Sequence, residues 1–399
     1  MELLSWLKFV SLCFILVVFG LRIMVLLWWR PRRIEEHFSR QGIKGPPYRF
    51  FIGNVKELVG MMIKASSQTM PSSCHNILPR VLPFYHHWKK NLCLVCDGDQ
   101  NLRLFIKTII FSFGGRKWAH HRKIITPTFH MENLKLLIPV MATSMVDMMD
   151  KWSAMSSDSG EVEIEVSECF RTLTEDIITR TAFGSSYEDG KAIFRLQAQQ
   201  MLFVAEAFQK ASDSSSPSSI TVNDIVEECK SFFFAGNQTT SNLLTRRCKA
   251  QDADMILNES LRLYPPTVAT IRRSRTDVEL GGTKVPRGTE LLIPILAVHH
   301  DQTLWGNDSN EFNPARFAEG VARAAKHPVA FIPFGLGVRM CIGQNLALLQ
   351  AKLALAIMLQ RFSFKMAATY QHAPTVLMLL YPQYGAPVIF QRLPQDQGS

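Results

Sequence analysis

The stretch Phe334-Gly335-Leu336-Gly337-Val338-Arg339-Met340-Cys341-Ile342-Gly343 decides how this chain is read. Its pattern is Phe-x-x-Gly-x-Arg-x-Cys-x-Gly. Phe331-Ile332-Pro333 introduces it, and a helical pattern over 344–360 follows it. The spacing predicts a tight loop that runs into a helix N-terminus. Gly337 permits a turn with positive φ and a close backbone approach to a flat ligand. Gly343 is expected to let the chain leave the loop without a Cβ clash. Cys341 stands just ahead of the helix, where the free N–H groups and the positive end of the dipole should lower its thiol pKa and hold a thiolate. A thiolate so placed suits axial ligation of haem iron, and Arg339 suits a haem propionate as a fork donor. A lone cysteine in a glycine-rich turn is usually structural. Here several fixed positions coincide ahead of one helix, and that favours the ligand.

Working outward, the chain has 399 residues, 47% of them hydrophobic, enough for a large core. Its net charge is +10, from 44 basic and 34 acidic residues, which points to an acidic partner, an anionic membrane or nucleic acid. No RNA-binding motif, C2H2 spacing or basic zipper occurs, so nucleic acid is not expected as a partner. The eight cysteines are irregularly spaced, as reduced thiols of a cytosol-facing domain would be. Cys93 and Cys96 form a CxxC pair, with no second pair or nearby His array to make a zinc site.

At the N-terminus, residues 9–21 are uncharged and apolar, and the pattern resumes over 23–29 after Arg22. Together they approach the roughly 20 residues that a spanning helix needs. Arg22 lies toward one end and can snorkel. Trp28 and Trp29 fit an interfacial belt, and Arg30, Arg32 and Arg33 leave the main domain on the cytosolic side. A cleaved signal peptide fits less well, since Glu2 precedes Lys8 and no small-residue cleavage site follows. The expected organisation is an anchor at 1–29, a basic, Pro-rich linker at 30–48 that includes Gly45-Pro46-Pro47, and one domain at 49–399. Helices are expected over 131–152, 168–183, 193–209, 222–244 and 344–360. Strands are expected within 268–294 and 375–390. A serine-rich linker is expected at 212–219. The fold class is mainly α with a small β component.

These motifs, in this order, resemble those of the cytochrome P450 family. Within that resemblance, Asn258-Glu259-Ser260-Leu261-Arg262 is similar to the Glu-x-x-Arg helix, with Glu259 and Arg262 on one face. Pro314-Ala315-Arg316-Phe317 is similar to the segment that brings a second Arg to the same Glu. The resulting triad is structural. Trp118-Ala119-His120-His121-Arg122 matches Trp-x-x-x-Arg, which places Trp118 and Arg122 on haem propionates. Arg272 is implied as a further propionate partner, with Arg273 as its alternative. The cofactor-binding set is then Cys341, Arg339, Trp118, Arg122, Arg272, Phe334, Gly337 and Gly343. Ala235-Gly236-Asn237-Gln238-Thr239-Thr240 resembles the oxygen-activation motif, in which Gly236 weakens its helix by about 1 kcal/mol against Ala. The resemblance gives Thr239 the role of delivering protons to bound oxygen. It gives Gln238, where the family usually has an acid, the role of ordering a water chain.

The resemblance implies a P450 fold behind an N-terminal transmembrane helix, with haem b as cofactor. NADPH is the indirect electron source, through an NADPH-cytochrome P450 reductase in the same membrane. It also implies a single-pass protein of the endoplasmic reticulum membrane with its catalytic domain facing the cytosol. Stretches 33–90, 117–143, 220–244 and 255–393 resemble the plant brassinosteroid-inactivating C-26 hydroxylases, so the implied substrate is a hydrophobic small molecule of the steroid class. The chain departs from the pattern at 90–116, 210–219 and 245–254, and only 20 positions separate Thr239 from Glu259. The expectation is an internally truncated chain, either a monooxygenase or a catalytically impaired haem-binding remnant of one. A haem-thiolate isomerase or dehydratase has little use for Thr239. A cofactor-free membrane-tethered interaction protein is the remaining alternative, and absence of haem from the purified protein would favour it.

Overall fold

A computed structural model describes residues 2–43, 45–46, 54–88, 116–156, 160–183, 253–376 and 379–394. The expected helices at 193–209 and 222–244, the serine-rich linker, Cys93 and Cys96, and the motif that holds Gly236, Gln238 and Thr239 lie outside the described residues. By its contacts the chain divides into two units. One takes in Met1–Gln68, Leu78–Phe105 and Glu279–Lys284, and the other takes in the rest.

The first unit is mainly helical, with the short extended segment Glu279–Lys284 added. Helix α1 (Glu2–Met24) passes through a π-helical turn, Val25–Trp29, into α2 (Arg30–Ser39). The stretch read as a linker therefore begins as a helix, continuous through the π-helical turn, where the Arg30 N–H reaches the Val25 carbonyl. The Arg32 guanidinium lies 4.2 Å from the centre of the Trp28 ring. Beyond α2, Gln41 pairs with the backbone of Lys284, accepting from its N–H at 2.7 Å and donating to its carbonyl at 3.1 Å. Helices α3 (Val55–Ser66), α4 (Leu78–Val81) and α5 (Pro83–Trp88) pack together. Arg80 caps the end of α3 by donating to the carbonyls of Ala65 and Ser66. Among the described residues no helix is long and apolar enough to cross a membrane. Several side chains of α1 fall outside those residues.

The second unit carries the core. Its three-stranded sheet runs β1 (Glu161–Glu165), β9 (Pro387–Arg392), β6 (Phe362–Met366), antiparallel throughout. Alternation along Glu161-Val162-Glu163-Ile164-Glu165 sends Val162 and Ile164 inward, opposite Phe390 and Val388. The inner face receives Trp152, whose ring stands 4.6 Å from that of Phe390. Burying each such side chain is worth about 1.5–3 kcal/mol. Helix α9 (Val166–Phe183) leaves β1 directly. The Glu165 carboxylate accepts the Glu168 N–H at 2.8 Å and the Ala386 N–H at 2.5 Å, so one side chain caps the helix and ties it to the entrance of β9.

The helix expected over 131–152 is two helices, α7 (Met131–Lys135) and α8 (Ile138–Met155), preceded by α6 (Arg116–Ile125). Pro139 is the cause. Its ring would meet the Lys135 carbonyl in a continuous helix, so it starts the next one instead. Helix α10 (Ala253–Leu263) leads to β2 (Thr270–Arg273), which pairs antiparallel with β5 (Glu290–Ile293). Gly281 and Gly282, both at positive φ, turn the chain between β3 (Val278–Leu280) and β4 (Thr283–Val285). Short helices α11 (Ile295–His299) and α12 (Gln302–Trp305) follow. Helix α13 (Gln344–Arg361) then runs through the centre. Its buried residues Ala347, Ala351, Ala354, Leu355 and Met358 recur at helical spacing, and it packs against α7, α8 and α10. The tail expected over 375–390 supplies β7 (Pro374–Val376), β8 (Leu380–Pro382) and β9.

Candidate active site

The cysteine loop sits at the head of α13. Gly335 and Gly337 both have positive φ, 74° and 76°, which an L side chain adopts only with strain. They fold the loop back so that the Cys341 N–H donates to the Phe334 carbonyl at 2.8 Å. Cys341 is thereby held three positions ahead of Gln344 with one face exposed. The expectation for Gly343 is corrected. Its φ is −85°, and an added Cβ would meet only the Cys341 Sγ, at 3.9 Å, an ordinary contact. Glycine at this position is not required by backbone conformation.

The thiol expectation is corrected as well. Burial pushes the Cys341 thiol above its ordinary value, and the N–H groups of Gly343 and Gln344 and the charge of Arg122 pull it down without overcoming burial. The sulfur has an open face, yet loop atoms crowd its other sides, and that desolvation outweighs a helix terminus. A metal bound at the open face would supply the rest, because a coordinating thiol is deprotonated.

Four guanidinium groups belong to this neighbourhood. Arg122, from α6, donates to the Met340 carbonyl at 2.8 Å. Arg339 is held below the ordinary arginine value by burial and then by the positive charges of Arg272 and Arg275. Burial depresses Arg272 too. The two arginines left as alternatives by the sequence differ in setting. Arg272 shares its field with Arg339, whereas Arg273 is exposed and donates to the Gly288 carbonyl. Sequence reasoning missed Arg275, which follows β2 without any motif. The Trp118 backbone lies in α6, but its side chain lies outside the described residues. An open thiol with Arg122 acting on it, and Arg272 and Arg275 acting on Arg339 of the same loop, suits a ligand with a metal centre and anionic arms, and haem is a ligand of that kind.

The Glu-x-x-Arg helix forms the triad as expected, and in more detail. Glu259 and Arg262 are fully buried, joined by two bonds of 2.7 Å. The other Arg262 donors reach the carbonyls of His299, Ser309 and Glu311 at 2.8, 2.6 and 3.1 Å. Arg316 approaches Glu259 at 3.5 Å, and its closest partner is Asp308, at 2.6 Å. That pairing, led by the Arg316 hydrogen bond, holds Asp308 below the usual carboxylate range. Neither Asp308 nor His299 was visible in the sequence, because loops bring them to the triad from positions with no fixed spacing.

A sequence profile described as "Cytochrome P450" matches residues 99–212 and 253–389, well over half of the chain. Among curated proteins the chain is similar to "Cytochrome P450 734A1" of Arabidopsis thaliana, 54% identical over 510 aligned positions covering 98% of each chain. It is similar to "Cytochrome P450 734A6" of Oryza sativa subsp. japonica, 46% identical, with 93% of this chain and 94% of that protein covered. "Secologanin synthase 2" of Catharanthus roseus is 32% identical, over 93% and 94% respectively. An alignment of 510 positions against a chain of 399 residues leaves a large share of the first relative facing gaps, so this chain is internally truncated relative to it.

Proposed function

This chain belongs to the cytochrome P450 family, as a P450 monooxygenase, and from that premise we propose that it hydroxylates a brassinosteroid at C-26 and so inactivates a hormone. The observation that carries the haem chemistry is the exposed Cys341 thiol at the head of α13, with Arg122 acting on it and Arg339 of the same loop in the field of Arg272. Bound there, haem supplies dioxygen activation, and thiolate ligation favours O–O cleavage.

The chain's own residues bind and orient. Cys341 would hold the iron. Arg122, Arg272 and Arg339 would hold the propionates, a role that Trp118 would share, Phe334 and Gly337 shape the loop, and Gly343 leads it into α13. Glu259, Arg262 and Arg316 lock the segments that carry it. Thr239 passes protons, and Gln238 orders the water that feeds it. One oxygen atom enters a substrate C–H bond. The other leaves as water, with two protons and two electrons that come from NADPH through a P450 reductase.

The N-terminal helix is the anchor in this proposal. The side chains of Phe9, Leu12, Phe14, Leu16 and Phe19 on α1 are exposed, which is costly in water and favourable in lipid. The basic residues after Trp29 keep the catalytic domain in the cytosol, on the endoplasmic reticulum membrane.

One observation favours a second reading. The aligned positions that face gaps remove part of a full-length relative, which suits a haem-binding remnant without turnover. The carbon monoxide difference spectrum of the reduced, membrane-expressed chain tests the site. A Soret band at the thiolate position, lost in Cys341→Ala, is the expected result, and its absence would sink the haem assignment. Incubation with a brassinosteroid, NADPH and reductase then separates the two readings. Product carrying one added oxygen supports the hydroxylase, and a thiolate band without product supports the remnant.

A further inference from the structure

His299, at the end of α11, is fully buried, and both of its ring nitrogens are engaged. Nε2 accepts the Ile332 N–H at 2.9 Å, so that nitrogen carries no proton. The proton therefore sits on Nδ1, which lies 3.1 Å from the Arg262 carbonyl and donates to it. Arg262 returns a bond, from Nη1 to the carbonyl of His299 at 2.8 Å. The ring also stacks on Phe331, with centroids 5.6 Å apart and planes 23° apart. On one side the imidazole is thus fixed to the buried Glu259–Arg262 pair. On the other it holds the first residues of the cysteine loop.

The connection continues through backbone bonds. The Ile332 carbonyl accepts the Gly335 N–H at 3.1 Å, and the Phe334 carbonyl accepts the Cys341 N–H at 2.8 Å. Among the described residues Arg316 makes no route of comparable directness, and its donors end on Glu259, Trp305 and Asp308. We infer that His299 is a positioning residue for the metal ligand, a neutral strut that transmits the rigidity of the Glu259–Arg262 pair to the loop carrying Cys341. The inference deepens the haem-thiolate reading and rests on it for the identity of the ligand. The mechanical coupling from His299 to Cys341 belongs to the chain alone. Burial favours the neutral imidazole that the strut requires, in agreement with the bonds.

Hydrogen exchange of the full chain, read by mass spectrometry over residues 331–343, tests the coupling with or without haem. His299→Asn keeps a short amide that reaches the Arg262 carbonyl but not Ile332. His299→Gln carries its acceptor far enough to take the Ile332 N–H. The expected result is exchange about tenfold faster for Asn through Cys341, with Gln close to the parent, since one buried donor is left unpaired. In the reduced carbon monoxide spectrum at equal haem content, Asn should shift part of the thiolate band to the inactive position, and Gln should restore it. Faster exchange at Ile332 alone, with Cys341 unchanged, would overturn the strut. So would a Gln variant as disturbed as Asn. A parent chain with no thiolate band but with the expected exchange pattern would sink the haem reading and uphold the strut.

Discussion

At the scale of single residues, Arg262 shows what a guanidinium can do that an ammonium cannot. Its N–H groups meet the Glu259 carboxylate and the carbonyls of His299, Ser309 and Glu311, all in a buried site. A lysine has fewer donors, and they do not form a fork. Arg262→Lys should therefore strand buried acceptors at about 1–3 kcal/mol each. Arg316→Lys should cost less, because the Asp308 side chain it serves is 40% exposed and water can replace the lost donor. Denaturant titration of both variants checks the order, and equal losses would contradict it. Glu259→Gln should be worse than Arg316→Lys, by removing the buried countercharge of Arg262 at a cost of about 3–5 kcal/mol. The i, i+3 spacing made the Glu259–Arg262 pair legible in the sequence, and Arg316 was legible from its Pro-Ala-Arg-Phe setting. The carbonyl acceptors were not, because no side-chain pattern records where a loop turns its backbone.

At the scale of elements, the loop and α13 form one device, a chain reversal delivered into a helix N-terminus. The two glycines with positive φ make the reversal, and Gly343 does not. Gly337→Ala should thus cost about 1–2 kcal/mol in left-handed strain and weaken the thiolate band. Gly343→Ala should leave stability near the parent and act only through its methyl group beside Sγ. Thermal unfolding with the reduced carbon monoxide spectrum separates the two, and a Gly343 variant as unstable as the Gly337 one would refute the assignment. The loop and its following helix were legible because glycine, arginine and cysteine spacing is itself the geometry. The thiol's state was not legible. The N–H groups ahead of α13 pull the Cys341 pKa down as expected, but burial of the sulfur, which no residue spacing records, outweighs them. Pro139 teaches the same lesson in reverse. Its effect on a helix was readable from chemistry, yet apolar periodicity over 131–152 concealed the break.

At the scale of the molecule, the described half of the site is one connected body: triad, His299, loop and α13, all within the second unit. The oxygen-activation motif was legible only as a motif, since a threonine in a helix acquires meaning from what faces it. The internal truncation was legible because 20 positions between Thr239 and Glu259 are too few for the helices that the family places there. The connected body has a pH signature. Burial first, and then the charges of His300 and Arg262, push His299 down to about 3, and burial lowers His300 as well. Unfolded, both return to the ordinary value near 6.5. Between these values the unfolded chain binds protons that the folded chain refuses, so acid favours unfolding. Stability from neutral His299 is complete above about pH 6.5 and declines as pH falls toward 3, at up to about 1.4 kcal/mol per pH unit, and the lowered His300 adds to the loss in the same direction. Glu165 adds a loss at lower pH. Burial alone would raise its pKa, but hydrogen bonds from Ser167, Ala386 and Glu168 together hold it below 4.5, and its contribution disappears as pH falls through that depressed value. Denaturant midpoints at pH 7.5, 6 and 5 should therefore fall in sequence, and His299→Gln should flatten the slope by roughly one proton's worth. A variant with the parent's full slope would mean that His299 takes up its proton without unfolding, which the Ile332 N–H pointing at Nε2 forbids.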